Sequence, residues 1–132
     1  MIYIVLNGGA ILAATLVGLL LGMFWQVAFD RGRTGGPGVA GTLLLAFVAE
    51  AWLCAILAGA LILAPPKGSI WTMTIGSAFV IWLGFVVPSL AASYRMRSLP
   101  ARMALVDCGY WLVVMLAQAV VLRLIGLVPP PV

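Results

Sequence analysis

The chain has 132 residues, of which 65% are hydrophobic and only 8% are charged, and its mean hydropathy is +1.25. An ordinary soluble domain is about a quarter charged, so this composition excludes a water-soluble globular domain and favours a bilayer. The net charge of +4 arises from seven basic and three acidic residues. Most of the basic residues lie in short polar breaks, a pattern typical of lipid head-group contact and not of nucleic-acid binding.

Four apolar stretches follow one another along the chain, and each can cross about 30 Å of hydrocarbon as a helix. No segment is left over for a soluble domain. We therefore predict an all-α, integral membrane four-helix bundle that forms a single domain over residues 1–132. The first apolar stretch is too long for a signal peptide and lacks a basic leader, so we expect an uncleaved span. The predicted spans are Tyr3–Phe29, Val39–Leu63, Ile70–Ala92 and Met103–Val128.

Basic residues are distributed unevenly between the two sides of the predicted bundle. The first and third loops, which lie on one side, together carry five arginines. The other side carries only Lys67 and Arg123. The positive-inside rule then places loops one and three in the cytoplasm and both termini on the non-cytoplasmic side. The five arginines are Arg31, Arg33, Arg95, Arg97 and Arg102.

Small residues recur every four positions in the first two spans, which gives each helix a face of nearly bare backbone. Another helix can approach such a face closely. We favour packing within the chain over pairing with another protein, and both alternatives stay open at this point. The residues are Ala10, Ala14, Gly18 and Gly22 in the first span and Ala51, Ala55 and Gly59 in the second.

The two halves of the chain share a spacing of 57 residues. It separates Trp25 from Trp82 and Glu50 from Asp107. The hypothesis that follows is a duplication of helical hairpins, related by an axis along the membrane normal. In that case the two carboxylates would occupy equivalent sites in the bundle.

The stretch AFVAEAWLC places one acid, Glu50, in the middle of the second span. It lies about 16 Å from the start of that span, near the bilayer midplane. An acidic group costs about 3 kcal/mol there on insertion scales. We therefore expect Glu50 to face the bundle interior as a largely neutral acid that donates a hydrogen bond across the bundle.

Two interpretations of the intramembrane polar residues remain open. One is a proton or cation site at Glu50, shared with Asp107, Asn7, Gln118 and the hydroxyl of Tyr110. The other is a structural clasp between neighbouring helices, which contributes only about 0.6 kcal/mol on average. The sequence favours the clasp, because a transport path usually has more polar lining than these spans supply.

The sequence offers few candidate residues for catalysis or for binding a metal, a cofactor or a phosphate. The chain has no histidine, so we expect no zinc or haem site, no cofactor and no enzymatic activity. The segment GRTGGPG lacks the lysine of a phosphate-binding loop. Cys54 and Cys108 lie inside apolar segments, where buried free thiols are favoured over a disulfide or a metal pair.

Pro88 lies in the last third of the third span. A proline inside a helix removes one backbone hydrogen bond, so we predict a kink there. Gly84, just before it, would ease the bend. In a small bundle such a kink favours fitting around neighbouring helices over gating.

Several short motifs resemble a known family. They are the early Asn7, the Gly18/Gly22 pair leading to Trp25, the Trp82-Leu-Gly-Phe85 unit followed by Pro88, and Asp107-Cys-Gly-Tyr110 running into Leu112-Val113. Together they resemble a family of small four-span bacterial membrane proteins classed as a domain of unknown function. The resemblance implies four spans in a bacterial inner membrane and attaches no activity.

Two functions are compatible with these features. The leading hypothesis is a non-enzymatic accessory or scaffold subunit that packs against other integral membrane proteins or against copies of itself, in contact with membrane lipids and without nucleic acid. The alternative is a small proton-linked carrier or channel with Glu50 at the midplane, working as an oligomer. The substitution Glu50→Gln distinguishes them, because only the carrier would lose flux while retaining its assembly.

Overall fold

A computed structural model of the chain describes residues 1–29 and 38–131, and these residues are predominantly helical. No strand occurs within the two described ranges, and the all-α prediction is confirmed. Residues 30–37, with the Arg31 and Arg33 of the orientation argument, lie outside the described residues. The helices are α1 (Ile2–Leu6), α2 (Gly8–Ala28), α3 (Val39–Leu63), α4 (Ile70–Ile81), α5 (Val87–Met96) and α6 (Ala101–Ile125), and a π-helical turn, Trp82–Val86, joins α4 to α5.

Within the part of the chain that the structure describes, four helices are long and apolar enough to cross a membrane, so the protein is a multi-pass membrane protein. The second coincides with its predicted span, and the third continues beyond its predicted end as far as Met96. The fourth begins and ends slightly earlier than predicted. The four are Gly8–Ala28, Val39–Leu63, Ile70–Met96 and Ala101–Ile125.

The first apolar run is divided at Asn7, which ends α1 and precedes α2. Its buried side chain donates from Nδ2 to the carbonyls of Tyr3 and Val128, both at 2.8 Å. The backbone N–H of Val128 in turn donates to Asn7 Oδ1 at 2.7 Å. The amide thus satisfies backbone groups at the helix break and in the segment after α6, which an apolar residue could not do.

α6 occupies the centre of the packing. It contacts α2, α3, α4, the π-helical turn and α5, whereas α2 contacts α1, α3 and α6 but no part of the third span in the described chain. Small and branched aliphatic side chains fill the space between these helices, and the fully buried ones include Ala14, Leu57, Ala58, Val114 and Leu122. The core is therefore densest where α2, α3 and α6 meet.

Among the described residues, three side-chain hydrogen bonds join the third span to α6, and one of them runs from Tyr94 to Asp107. Trp82 Nε1 donates to the carbonyl of Cys108 at 2.8 Å, and Arg123 Nε donates to Thr74 Oγ1 at 2.9 Å. Most of this span is otherwise exposed, with only 6% of its most apolar window buried within the chain. Lipid or another membrane protein must therefore cover most of its surface.

The irregular part of the third span lies next to Pro88, which belongs to the first turn of α5. Proline has no N–H, so it cannot bond to the carbonyl of Gly84 four residues earlier. Just before it, the N–H of Val87 donates to the carbonyl of Trp82, five residues back, which is the π-helical pattern. The proline is thus accommodated by a wider turn on its N-terminal side.

Candidate intramembrane polar site

Glu50 lies eleven residues after the start of α3, near the middle of that helix, and only 1% of it is exposed. The hydroxyl of Tyr110, from α6, donates to Glu50 Oε1 at 2.7 Å. The acid therefore faces the bundle interior, as expected, but it accepts this hydrogen bond from the neighbouring helix, whereas the sequence led us to expect that it would donate one.

The other oxygen of Glu50 lies against α2 at Gly18. A Cβ built on Gly18 would overlap Glu50 Oε2, and it would lie 2.8 Å from Nε2 of Gln118. Gln118 is on α6, two turns after Tyr110, and is fully buried. The missing side chain at Gly18 thus provides the space in which a carboxyl from α3 and an amide from α6 meet.

Three polar atoms in this space have no hydrogen-bond partner among the described residues. They are Glu50 Oε2 and both amide atoms of Gln118, Oε1 and Nε2. A buried polar group without a partner costs about 1–3 kcal/mol. The site therefore combines a carboxyl and an amide that retain unused hydrogen-bonding capacity.

Two further polar side chains border the carboxyl. Thr15, one turn before Gly18 on α2, is fully buried and donates to the carbonyl of Ile11 at 2.7 Å. Cys54, one turn after Glu50 on α3, lies within hydrogen-bonding reach of Thr15. Cys54 and Cys108 are both buried free thiols.

The small-residue positions are used within the chain. A Cβ at Gly22 would lie 2.8 Å from the hydroxyl oxygen of Tyr110, and one at Gly59 would lie 2.9 Å from that of Tyr3. These glycines therefore accommodate tyrosine side chains rather than a second helix backbone. The other members of the stripe are Ala10, Ala14 and Ala55, which are buried, and Ala51, which is partly buried.

Asp107 and Asn7 lie outside this cluster. The hydroxyl of Tyr94, from α5, donates to Asp107 Oδ2 near the N-terminal end of α6, whereas Asn7 is engaged with Val128 at the opposite end of the bundle. Of the five predicted polar residues, the structure brings together Glu50, Tyr110 and Gln118. The two carboxylates do not occupy equivalent sites, contrary to the hairpin duplication.

A pocket of about 270 Å³ lies between the C-terminal end of α2 and the N-terminal half of α6. The rings of Trp25 and Tyr110, which both line it, contact each other at a tilt of 53°, with centroids 5.9 Å apart. Tyr110 joins the pocket to the buried acid, because its side chain lines the pocket and its hydroxyl bonds to Glu50. The pocket is lined by Trp25, Gln26, Met103, Asp107 and Tyr110.

The described residues contain no group of three or more histidine, cysteine or acidic side chains that could hold a metal ion. The polar groups that meet at Gly18 and Tyr110 are one carboxyl, one phenol and one amide. This set suits proton exchange and hydrogen bonding.

Sequence reasoning missed the pocket and the partner of Asp107. Tyr94 is 13 residues before Asp107 and meets it because the third and fourth spans form a hairpin with a short loop. That short connection was a usable signal. Nothing in the sequence indicates that Trp25 and Gln26 would form a wall opposite Met103, because this depends on how α2 is rotated against α6.

Four apolar helices that enclose a hydrogen-bonded acid define a small multi-pass membrane protein with a polar core. The chain belongs to the family described as "Protein of unknown function (DUF1761)", whose model matches residues 9–123. The match includes all three residues of the buried cluster, and the resemblance found in the sequence is confirmed. A comparison with curated proteins finds no match. A comparison with solved structures also finds none.

Proposed function

We propose that the protein is a non-enzymatic, proton-linked membrane carrier or channel, in which the carboxyl of Glu50 takes up and releases the proton. One observation carries the proposal. Glu50 is 1% exposed at mid-span, with one oxygen bonded to Tyr110 and the other beside a fully buried Gln118 to which it is not bonded.

A purely structural clasp accounts poorly for this arrangement. A clasp gains its stability by pairing buried polar atoms, yet within the described residues one oxygen of Glu50 and the whole amide of Gln118 remain unpaired. Intramembrane acids are costly and are commonly associated with proton or ion pathways. Unused donor and acceptor capacity beside such an acid supports a site whose hydrogen bonding changes during function.

The accessory-subunit hypothesis relied on small-residue faces together with exposed aromatic side chains, and the first of these surfaces is used within the chain. The small-residue face of α2 is covered by Glu50, Gln118 and Tyr110 from the same chain. A subunit role would have to use the third span, whose exposed side chains include Phe79, Leu83 and Phe85. That exposed span is the observation that keeps an accessory subunit as the second candidate.

The proposal extends to the cellular setting. We place the protein in a bacterial inner membrane with both termini on the non-cytoplasmic side, on the distribution of arginine and lysine. Four spans enclose little room for a solute, so the working unit would be an oligomer of this chain.

Proton transport in liposomes tests the function. The purified protein is reconstituted with a pH-sensitive dye inside the vesicles, and proton flux is followed after a pH jump. We expect Glu50→Gln to abolish flux while the protein keeps its size in detergent. Trp52→Phe is the matched control, because Trp52 is two residues away on the same helix and largely exposed.

Infrared spectroscopy supplies a direct measurement of the proton. A pH-dependent carboxylic acid band present in the native protein and missing in Glu50→Gln would support the proton site. Unchanged flux together with a weakened fold in Glu50→Gln would instead establish the clasp and contradict the proposal.

A further inference from the structure

The pocket beside Tyr110 combines aromatic, polar and charged side chains on an otherwise apolar bundle. Two aromatic rings, of Trp25 and Tyr110, lie with centroids 5.9 Å apart. The remaining lining residues are a carboxylate, an amide and a thioether, from Asp107, Gln26 and Met103. Asp107 carries the one charge among these described lining residues.

This combination suits a particular class of ligand. The face of an aromatic ring attracts a cation within about 6 Å of its centroid, and tryptophan does so most strongly. A carboxylate on the same wall adds a direct electrostatic attraction. The carboxylate repels an anion, and a neutral solute gains from neither electrostatic attraction, so the pocket favours a cation that also has apolar surface.

We propose that the pocket formed by Trp25, Tyr110 and Asp107 binds a small organic cation, such as an alkylammonium ion, and that this is the class of solute exchanged for the Glu50 proton. The second half of this statement rests on the proposed function, whereas binding in the pocket does not.

The size of the pocket limits the ligand. Its volume of about 270 Å³ lies just below the range of roughly 300–1,000 Å³ typical of small-molecule sites. A tetramethylammonium group or a primary amine of similar size fits this space. The hydroxyl of Tyr94 bonds to Asp107 from α5, which orients the carboxylate on the pocket wall.

Tyr110 connects the cation to the proton. A cation that shifts the Tyr110 ring also shifts the hydroxyl that bonds to Glu50 Oε1, so each ligand alters the binding of the other. The titratable groups that face Glu50 in the described residues are Tyr110 from α6 and Cys54 from α3 itself, while α2 contributes Thr15 and Gly18.

Binding is measured by calorimetry on the full-length protein in nanodiscs, with tetramethylammonium as the probe. tert-Butanol serves as a neutral molecule of similar shape, and acetate serves as an anion. We expect tetramethylammonium alone to bind. Asp107→Asn should weaken binding by about tenfold or more because it removes the charge, and Trp25→Leu should weaken it about three- to thirtyfold because it removes a ring.

The matched control for the ring is Trp52→Leu, which removes a largely exposed tryptophan on α3 and should leave binding unchanged. Equal binding of tert-butanol, tighter binding of acetate, or full affinity in Asp107→Asn would overturn the proposal. If Trp25→Leu fails to fold, Asp107→Asn still tests the proposal, because an asparagine side chain has nearly the same shape as the aspartate that it replaces.

A second readout separates this inference from the proposed function. Cation binding that depends on Asp107, in a protein whose flux is insensitive to Glu50→Gln, would support the pocket and refute the proton site. Proton flux that depends on Glu50, in a protein that does not bind tetramethylammonium, would refute the pocket alone. Proton release that is driven by the cation, and that disappears both in Asp107→Asn and in Glu50→Gln, would support the exchange.

Discussion

Gly18 has no side chain, and this leaves room on α2 for the side chains of Glu50 and Gln118. Glycine in a helix interior is usually unfavourable by about 0.5–1 kcal/mol relative to alanine. At Gly18 this cost is offset, because any Cβ would overlap the carboxyl of Glu50. The glycine therefore permits an acid and an amide from two other helices to share one buried space.

Gly18→Ala should lower the free energy of unfolding by about 1–3 kcal/mol, because overpacking a buried site forces its neighbours to move. Unfolding in mixed micelles with increasing SDS measures the change. Gly76→Ala is the control, since a Cβ there has nothing within 4 Å, and it should be neutral or stabilising. A stabilising effect of Gly18→Ala would show that the carboxyl does not need this space.

At the scale of elements, the attachment of the third span to α6 depends on a few polar contacts. Thr74 Oγ1 donates to the carbonyl of Ile70 at 2.7 Å and also accepts a hydrogen bond from Arg123. Because so little of this span is buried within the chain, each specific contact accounts for a large share of its attachment.

We expect Thr74→Val to lower the free energy of unfolding by about 1–3 kcal/mol, because it leaves the Arg123 guanidinium with one partner fewer in a largely apolar setting. Thr42→Val is a matched control. Thr42 also donates to the carbonyl four residues earlier, but it is exposed. Thermal unfolding in detergent compares the two variants, and equal losses would show that the contact with Arg123 contributes nothing.

The helical elements were predictable from the sequence, whereas their contacts were not. Apolar length sets the number of spans, since only a helix satisfies its own backbone in lipid. The faces that meet are harder to predict, because spans that are apolar all round give no amphipathic signal. Glu50 could be predicted to face inward from its insertion cost alone. Its partners, Tyr110 and Gln118, were named as candidates, but Gly18 was expected to meet a helix backbone.

Local irregularities were the other limit of prediction. Asn7 was expected within a continuous first span, but the run is divided there into α1 and α2, and the Asn7 side chain adds hydrogen bonds to the carbonyls of Tyr3 and Val128. A helix kink was predicted at Pro88, yet the sequence could not specify a π-helical turn at Trp82–Val86. That choice depends on which carbonyls remain without a donor after the span packs against α6.

At the scale of the whole molecule, the two ends of the bundle differ in charge. Lys67 lies at the connection between α3 and α4, whereas Arg95, Arg97 and Arg102 lie near the connection between α5 and α6 at the other end. Arginine and lysine accumulate in cytoplasmic loops. The expected orientation has the connection that contains Lys67 outside the cell membrane.

Cysteine labelling tests this orientation, and the native thiols suit the method because both are buried. A membrane-impermeant maleimide should label Lys67→Cys in intact spheroplasts. It should label Arg97→Cys only after the membrane is opened, since both positions are exposed and differ only in side. The reverse pattern would invert the topology and place the pocket beside Tyr110 on the outer side.

The central place of α6 has a consequence for how the protein is made. α6 follows the other spans in the chain, and both side chains that meet the carboxyl of Glu50 come from it. A chain emerging from the ribosome N-terminal end first therefore inserts its acid before any of its partners exists. Until α6 arrives, the carboxyl lacks the hydrogen bond from Tyr110. Interrupted synthesis would leave that group as a mark by which membrane quality control can recognise an unfinished chain.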